Sequence, residues 1–224
     1  MRQTKIICTI GPACNNKETI LKMINAGMDV ARFNMSHGDY GELEKTFATV
    51  KEAIAESGKN VALLLDTKGP EVRIGHIDGG KTEIVEGQDF TFFRDEVVGN
   101  NEGVSISYPK LIKKLMKYNK AKGLKLLLDD GKIAMQVKKV LDDRIVCKVL
   151  VGGELGSRKS INIPDYNIDM PYVSKKDRED IDFGIKMGIN VIAASFVRNG
   201  DDVRTLRDYV ESIGGEHIGI ISKI

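Results

Sequence analysis

The sequence predicts an α/β protein whose parallel strands are joined by crossover helices and interrupted by a separate β-rich insertion. Three observations carry this. From residue 5 to residue 66, short β-branched apolar runs alternate with stretches of helical periodicity, the pattern of parallel βα units. From residue 71 to about residue 170 that rhythm gives way to alternating polar and apolar stretches parted by glycine-rich turns. After Pro171 the βα pattern resumes. The expected organisation is one α/β domain made of residues 1–70 and 171–224, with residues 71–170 inserted as a domain of their own.

The first strand is expected over residues 5–10. A helix follows with Asn16 as N-cap, Ile20, Leu21 and Ile24 on one face, and Gly27 just past its end. Residues 30–34 form the second strand. The second helix carries Leu43, Phe47, Val50 and Ile54 on one stripe, stops near Gly58 and hands over to a buried strand at residues 61–66. In the insertion, strands are expected over residues 82–85, 89–93, 104–107 and 145–149. The clearest hairpin pairs residues 124–128 with 133–137 across Asp129-Asp130-Gly131-Lys132, where an Asp-Gly pair supplies the positive φ of a tight turn. Only residues 109–116 read as helical there. Beyond Pro171, Ser174-Lys175-Lys176-Asp177 is a capping-box-like start. That helix ends at Gly188. A strand at residues 191–196, a helix with Val203, Leu206, Val210 and Ile213 facing inward, and a strand at residues 218–221 complete the reading.

Composition excludes several function classes. The 224 residues are 42% hydrophobic and 29% charged, with 34 basic against 32 acidic side chains and a net charge of +2. Apolar runs such as Val61-Ala62-Leu63-Leu64-Leu65 fall far short of the roughly 20 residues of a spanning helix, so no membrane partner is expected. No secretory apolar region opens the chain, and a cytoplasmic location is the expectation. The three cysteines, at positions 8, 14 and 147, form no CxxC pair and read as reduced thiols. A near-neutral balance without a basic run gives no footprint for nucleic acid. The partner is expected to be small.

A closed eight-stranded parallel barrel takes about 250 residues, and setting the insertion aside leaves about 125 here. Five strands are therefore expected of an incomplete (β/α)8-type barrel with uncovered sheet edges, and the chain reads as part of a longer polypeptide.

In such folds chemistry sits at the carboxyl ends of the strands. After strand two, period-two alternation places Arg32, Asn34 and Ser36 on one side and Phe33 and Met35 on the other. A guanidinium suits phosphate, and neutral Asn and Ser oxygens suit a hard cation; a solvated strand end with Arg32 in a salt bridge is the plain alternative. At the end of strand three, Asp66 follows four apolar residues, and a carboxylate buried there needs a cation. Lys223, after Ile-Gly-Ile-Ile, projects a point charge into the same mouth.

Six segments in order resemble the pyruvate kinase family: Thr4-Lys5-Ile6-Ile7-Cys8-Thr9-Ile10-Gly11-Pro12, Ala31-Arg32-Phe33-Asn34-Met35-Ser36-His37-Gly38, Leu65-Asp66-Thr67-Lys68-Gly69-Pro70-Glu71-Val72-Arg73, Asp129-Asp130-Gly131, Ala194-Ser195-Phe196-Val197-Arg198 and Ile220-Ile221-Ser222-Lys223-Ile224. The resemblance implies phosphoryl transfer from phosphoenolpyruvate to ADP, giving pyruvate and ATP. It implies a TIM barrel, with residues 71–170 as a small β-barrel lid and a further carboxy-terminal domain, in a homo-oligomer such as a tetramer. By motif position, Arg32 resembles the arginine on the substrate phosphate. Lys223 resembles the catalytic lysine that also touches substrate. Asn34, Ser36, Asp66 and Thr67 resemble a potassium site, and Glu71 resembles the potassium-requiring form of the family. His37, Arg73 and Lys159 resemble residues around the nucleotide phosphates, with His37 a hydrogen-bonding partner rather than a base. Ser160 and Asp165 stand where the family usually has glycine. His76 and His217 are expected on the surface. The family's magnesium ligands are expected beyond Ile224, so the 224 residues are expected to be inactive alone. Two competing readings are a Schiff-base aldolase using Lys223 and a non-enzymatic nucleotide-binding fragment.

Overall fold

The computed structural model describes residues 3–35 and 39–224. In chain order its elements are β1 (Ile7–Thr9), α1 (Lys17–Ala26), β2 (Val30–Asn34), α2 (Tyr40–Ser57), β3 (Ala62–Asp66), β4 (Val72–Arg73), a single 3-10 turn (Asp78–Gly80), β5 (Lys81–Ile84), β6 (Asp89–Phe93), β7 (Gly103–Ser105), α3 (Lys110–Lys117), β8 (Lys125–Leu128), β9 (Ile133–Val140), β10 (Arg144–Val151), β11 (Gly153–Gly156), β12 (Ser160–Asn162), α4 (Lys175–Lys186), β13 (Val191–Ala194), α5 (Gly200–Ser212) and β14 (Gly219–Ser222). They divide into two compact units, Met1–Pro70 with Pro171–Ile224, and Glu71–Met170. Among the described residues, no helix is long and apolar enough to cross a membrane.

The larger unit is a parallel sheet in the order β1-β2-β3-β13-β14, consistent with part of a barrel. Its helices start and stop where the sequence signals do. Asn16 caps α1 by accepting from the Thr19 amide, and Gly27 ends it in the left-handed region. Asp39 caps α2, and Ser174 and Asp177 form a full capping box on α4; caps of this kind are each worth about 1 kcal/mol. Ala31, Phe33 and Met35 are buried while Arg32 and Asn34 are only half-buried, which is the alternation expected of β2. Phe33 stacks on Phe47 of α2 with ring centroids 3.6 Å apart, and Phe183 of α4 meets Phe47 edge-on. Burial of each such ring contributes about 2–3 kcal/mol. At Gly184, α4 lies so close to the sheet that a Cβ would come within 2.3 Å of a Leu65 methyl.

The smaller unit holds a seven-stranded sheet, β4-β12-β8-β9-β10-β6-β7, and a two-stranded sheet, β11-β5. Its core includes Phe90 and Phe92, both fully buried and packed edge to face. The edge strands β4 and β7 are followed by an antiparallel bridge between Ile74 and Ile106. The β8–β9 hairpin forms as expected, with β9 running on to Val140. Its turn uses three consecutive positive-φ residues, Asp129, Asp130 and Gly131, where the Asp-Gly pair had suggested one.

Several expected boundaries are corrected. β1 is only Ile7–Thr9, and β13 stops at Ala194 because Phe196 turns into the left-handed region at φ 56°. Three short strands, β4, β11 and β12, were not expected; at two to four residues each they carry too little alternation to be seen.

Candidate functional site at the strand ends

Register explains which side chains of the larger unit meet. In the parallel ladder Asn34 lies beside Asp66, Asp66 beside Ala193, and Ala194 beside Ser222. The residues just past these pairs, Thr67, Ser195 and Lys223, extend the same rows. The amide of Thr67 donates to the Ala193 carbonyl and that of Lys223 to the Ala194 carbonyl.

Asp66 is the hub. It is 2% exposed and takes Arg32 Nε at 2.7 Å and Nη2 at 2.5 Å on Oδ2. Lys223 Nζ donates to Oδ1 at 2.8 Å and Oδ2 at 3.1 Å, and Ser195 Oγ donates to Oδ1 at 3.0 Å. Arg32 Nη1 also donates to Thr9 Oγ1 at 2.6 Å. Burial by itself pushes the Asp66 carboxyl up, but the hydrogen bonds from Lys223 and Arg32 outweigh it and hold the group below the ordinary carboxylate value. The buried carboxylate expected to need a cation has two, from strands β2 and β14.

Both cations keep access to water. The Arg32 side chain is 32% exposed and that of Lys223 is 45% exposed. One carboxylate between two cations leaves a surplus positive charge at the strand ends, a setting in which a phosphoryl group competes well for the guanidinium fork and the ammonium. A cavity of about 820 Å³, lined among others by Thr9, Gly11, Asn15, Asn34 and Glu42, opens beside the Thr9–Arg32 contact. Its size is in the range of small-molecule sites.

Of the residues expected to hold a potassium ion, Asn34, Asp66 and Thr67 stand at adjoining strand ends. Ser36, like the nucleotide candidate His37, lies outside the described residues. One charge among neutral oxygens is a donor set that fits a monovalent ion. Here the Asp66 lone pairs are taken by Arg32, Lys223 and Ser195, so such an ion requires one of the cations to let go. Among the described residues, no three or more His, Cys, Asp or Glu side chains cluster as a metal site.

The remaining candidates belong to the smaller unit. Arg73 is paired with Glu71 at 2.6 Å and donates to the Arg158 carbonyl. Lys159 is paired with Asp129 at 2.9 Å, and Lys132 meets the same carboxylate. These two lysines hold the Asp129 carboxyl below its ordinary value. His76 and His217 are exposed, as expected. Ser195 carried no role in the sequence reading, although it stands at the strand end quoted there; its signal was its place as the first polar residue after the apolar run of β13.

A parallel α/β sheet consistent with part of a barrel, with an arginine and a lysine gathered on one buried aspartate at its strand ends, defines the class of protein. Comparison with known proteins specifies which. The model of the pyruvate kinase barrel domain matches residues 1–224, and the chain belongs to the pyruvate kinase family. It is 44% identical over 225 residues to a pyruvate kinase of Geobacillus stearothermophilus, and 39% identical over 225 residues to one of Clostridium perfringens. Both alignments cover 100% of this chain, but only 38% and 46% of the respective relatives.

Proposed function

We propose that this chain forms the phosphate-receiving part of a pyruvate kinase, a phosphotransferase moving a phosphoryl group from phosphoenolpyruvate to ADP. The observation that carries the reading is the convergence of Arg32 and Lys223 on Asp66 from strands 34 and 157 residues away in sequence. In this reading Arg32 grips the substrate phosphate with its fork, and Lys223 lies over the phosphoryl group as charge shifts between oxygens. Asp66 holds both cations in place, still open to water, until the anion arrives and then accepts fewer bonds from them.

Asn34, Ser36, Asp66 and Thr67 are proposed to hold potassium, which when bound supplies a fixed positive charge beside the phosphoryl group. A magnesium requirement is proposed for the full-length enzyme, as are cytoplasmic location and a homo-oligomeric, tetrameric state. The cavity beside Thr9 has the size to take a small phosphorylated ligand, and His37, Arg73 and Lys159 are separately proposed as contacts of the nucleotide phosphates. Residues 71–170 are proposed to be the small β-barrel lid, a reading that the Ile74–Ile106 bridge beyond the edge strands supports.

Turnover is proposed for a polypeptide of the relatives' length, and anion binding without turnover for these 224 residues. The test is a coupled assay of ATP formation from phosphoenolpyruvate and ADP, together with calorimetric titration of each ligand. Binding of phosphoenolpyruvate that Arg32→Ala abolishes supports the proposal; saturable binding indifferent to that change defeats it. The aldolase alternative is disfavoured by Lys223 itself, which is ion-paired and half-exposed where a Schiff-base amine is desolvated. Borohydride trapping with pyruvate separates the two.

A further inference from the structure

We propose that Ser195 is a positioning residue of the phosphate site, its hydroxyl fixing the direction of the Lys223 ammonium. The inference deepens the reading above and rests on it for the identity of the anion. Ser195 is 4% exposed. Its Oγ lies 2.6 Å from the Thr67 carbonyl, 3.0 Å from Asp66 Oδ1 and 3.0 Å from Lys223 Nζ. A hydroxyl has one proton to give and lone pairs to receive with. The single proton is shared between the Thr67 carbonyl, the nearer acceptor, and Asp66 Oδ1, and a lone pair takes the lysine.

The hydroxyl is aimed by its backbone. The Ser195 amide donates to Thr67 Oγ1 at 3.2 Å, and the Ser195 carbonyl accepts from the buried Tyr172 hydroxyl at 3.0 Å. Gly69 approaches so closely that a Cβ there would lie 2.5 Å from the Ser195 carbonyl oxygen. The next residue, Phe196, is held at φ 56°, a left-handed conformation that crowds a side-chain-bearing residue. Strain of this kind persists where surrounding contacts over-determine the backbone.

The consequence concerns charge. Lys223 has three protons, and its contacts are Asp66, through both oxygens, and Ser195. When an anion draws the ammonium away from Asp66, the serine contact is the one that persists. Because the hydroxyl is neutral, it orients the ammonium without cancelling its charge. A second carboxylate in that position would hold the lysine as firmly and blunt its pull on phosphate.

The experiment uses the full 224-residue chain, with phosphoenolpyruvate and inorganic phosphate as probes. Binding is measured by calorimetry for the wild type, Ser195→Ala, Ser195→Thr and Arg32→Ala, and the Lys223 ammonium is followed by nitrogen-15 NMR. The expected result is affinity about tenfold weaker in Ser195→Ala, restored within about threefold by Ser195→Thr, with the Lys223 signal broadened in the alanine variant alone. Wild-type affinity in Ser195→Ala, with binding abolished by Arg32→Ala, overturns the inference and leaves the proposed function standing. If the wild type binds neither anion, the proposed function fails instead. The Lys223 signal then decides the positioning claim: an unchanged signal in Ser195→Ala overturns it, and a lost one upholds it. Should Ser195→Thr fail to fold for want of room beside Gly69, the same signal in a folded Ser195→Ala decides.

Discussion

Replacing Asp66 by asparagine changes one atom and removes the charge that three strands share. In the wild type the carboxylate accepts from Arg32, Lys223 and Ser195. An asparagine oxygen can receive one of the cations, but its amide then points N–H groups at the other. Breaking a fully buried ion pair by removing one partner costs about 3–5 kcal/mol. Here the cations left behind are 32% and 45% exposed and can turn toward water, so the cost is reduced to about 2–3 kcal/mol. For a unit of this size that lowers Tm by about 8–12 °C. The pH dependence gives the sharper test. The folded-state pKa of Asp66 lies below its ordinary value of 3.8, so its stabilisation is complete above that value and is lost as pH falls through the folded pKa. Urea unfolding of both proteins from pH 7 down to pH 3 is therefore expected to show a gap that narrows on the acid side. An equal midpoint at pH 7, or a gap that stays constant with pH, would refute the ionic hub.

Asp180 should behave in the opposite sense. It is fully buried, and burial raises its carboxyl despite the hydrogen bonds from Lys176 and Tyr40, while its Oδ2 has no hydrogen-bond partner among the described residues. A raised folded-state pKa gives stability that is present at low pH and lost as pH rises through that pKa; Asp180→Asn should flatten this decline, which sets in as pH rises above the ordinary carboxylate value of 3.8, in chemical unfolding. Gly69→Ala, which combines φ 69° with a carbonyl 2.5 Å from the new Cβ, is expected to cost more than about 2 kcal/mol by the same assay. Cys147 is buried and its thiol pushed up to about 12, so a thiol reagent at neutral pH should leave it unmodified until the chain unfolds, whereas the half-buried Cys8 and Cys14 react first; mass spectrometry of the labelled chain reads the order. Arg32→Lys keeps the charge and loses the fork, and phosphate affinity is expected to fall about tenfold with a smaller change in Tm than Asp66→Asn gives.

The helices were legible because their ends are written in single residues. Asn16, Gly27, Gly58 and the Ser174–Asp177 box each act locally, and each falls where the chain turns. The strands of the larger unit were legible as apolar runs, and alternation alone put Arg32 and Asn34 on the face opposite Phe33. That Asp66 needs a cation followed from burial, and Lys223 was expected in the same mouth; that its ammonium pairs with Asp66 itself was not legible, because it depends on register across the intervening β13. The role argued for Ser195 was illegible for the same reason. A serine after an apolar run has no distinguishing pattern until the ends of β3 and β14 are placed on either side of it. In the smaller unit, Lys159 and Arg73 each meet a carboxylate, and one of these, Asp129, sits at a positive-φ position that only the folded turn discloses.

The span enclosed by the Asp66–Lys223 contact has a kinetic meaning. Joining residues 157 apart closes a loop that contains the whole of the smaller unit, both of its prolyl tethers and two further helices. The entropy of closing so long a loop must be met before the contact returns anything, so it is expected to form late, after its neighbours have condensed. The proposed anion site is then expected to be completed late in folding. A bound phosphoryl ligand, by stabilising only the closed loop, would slow the unfolding of the larger unit more than it speeds its folding.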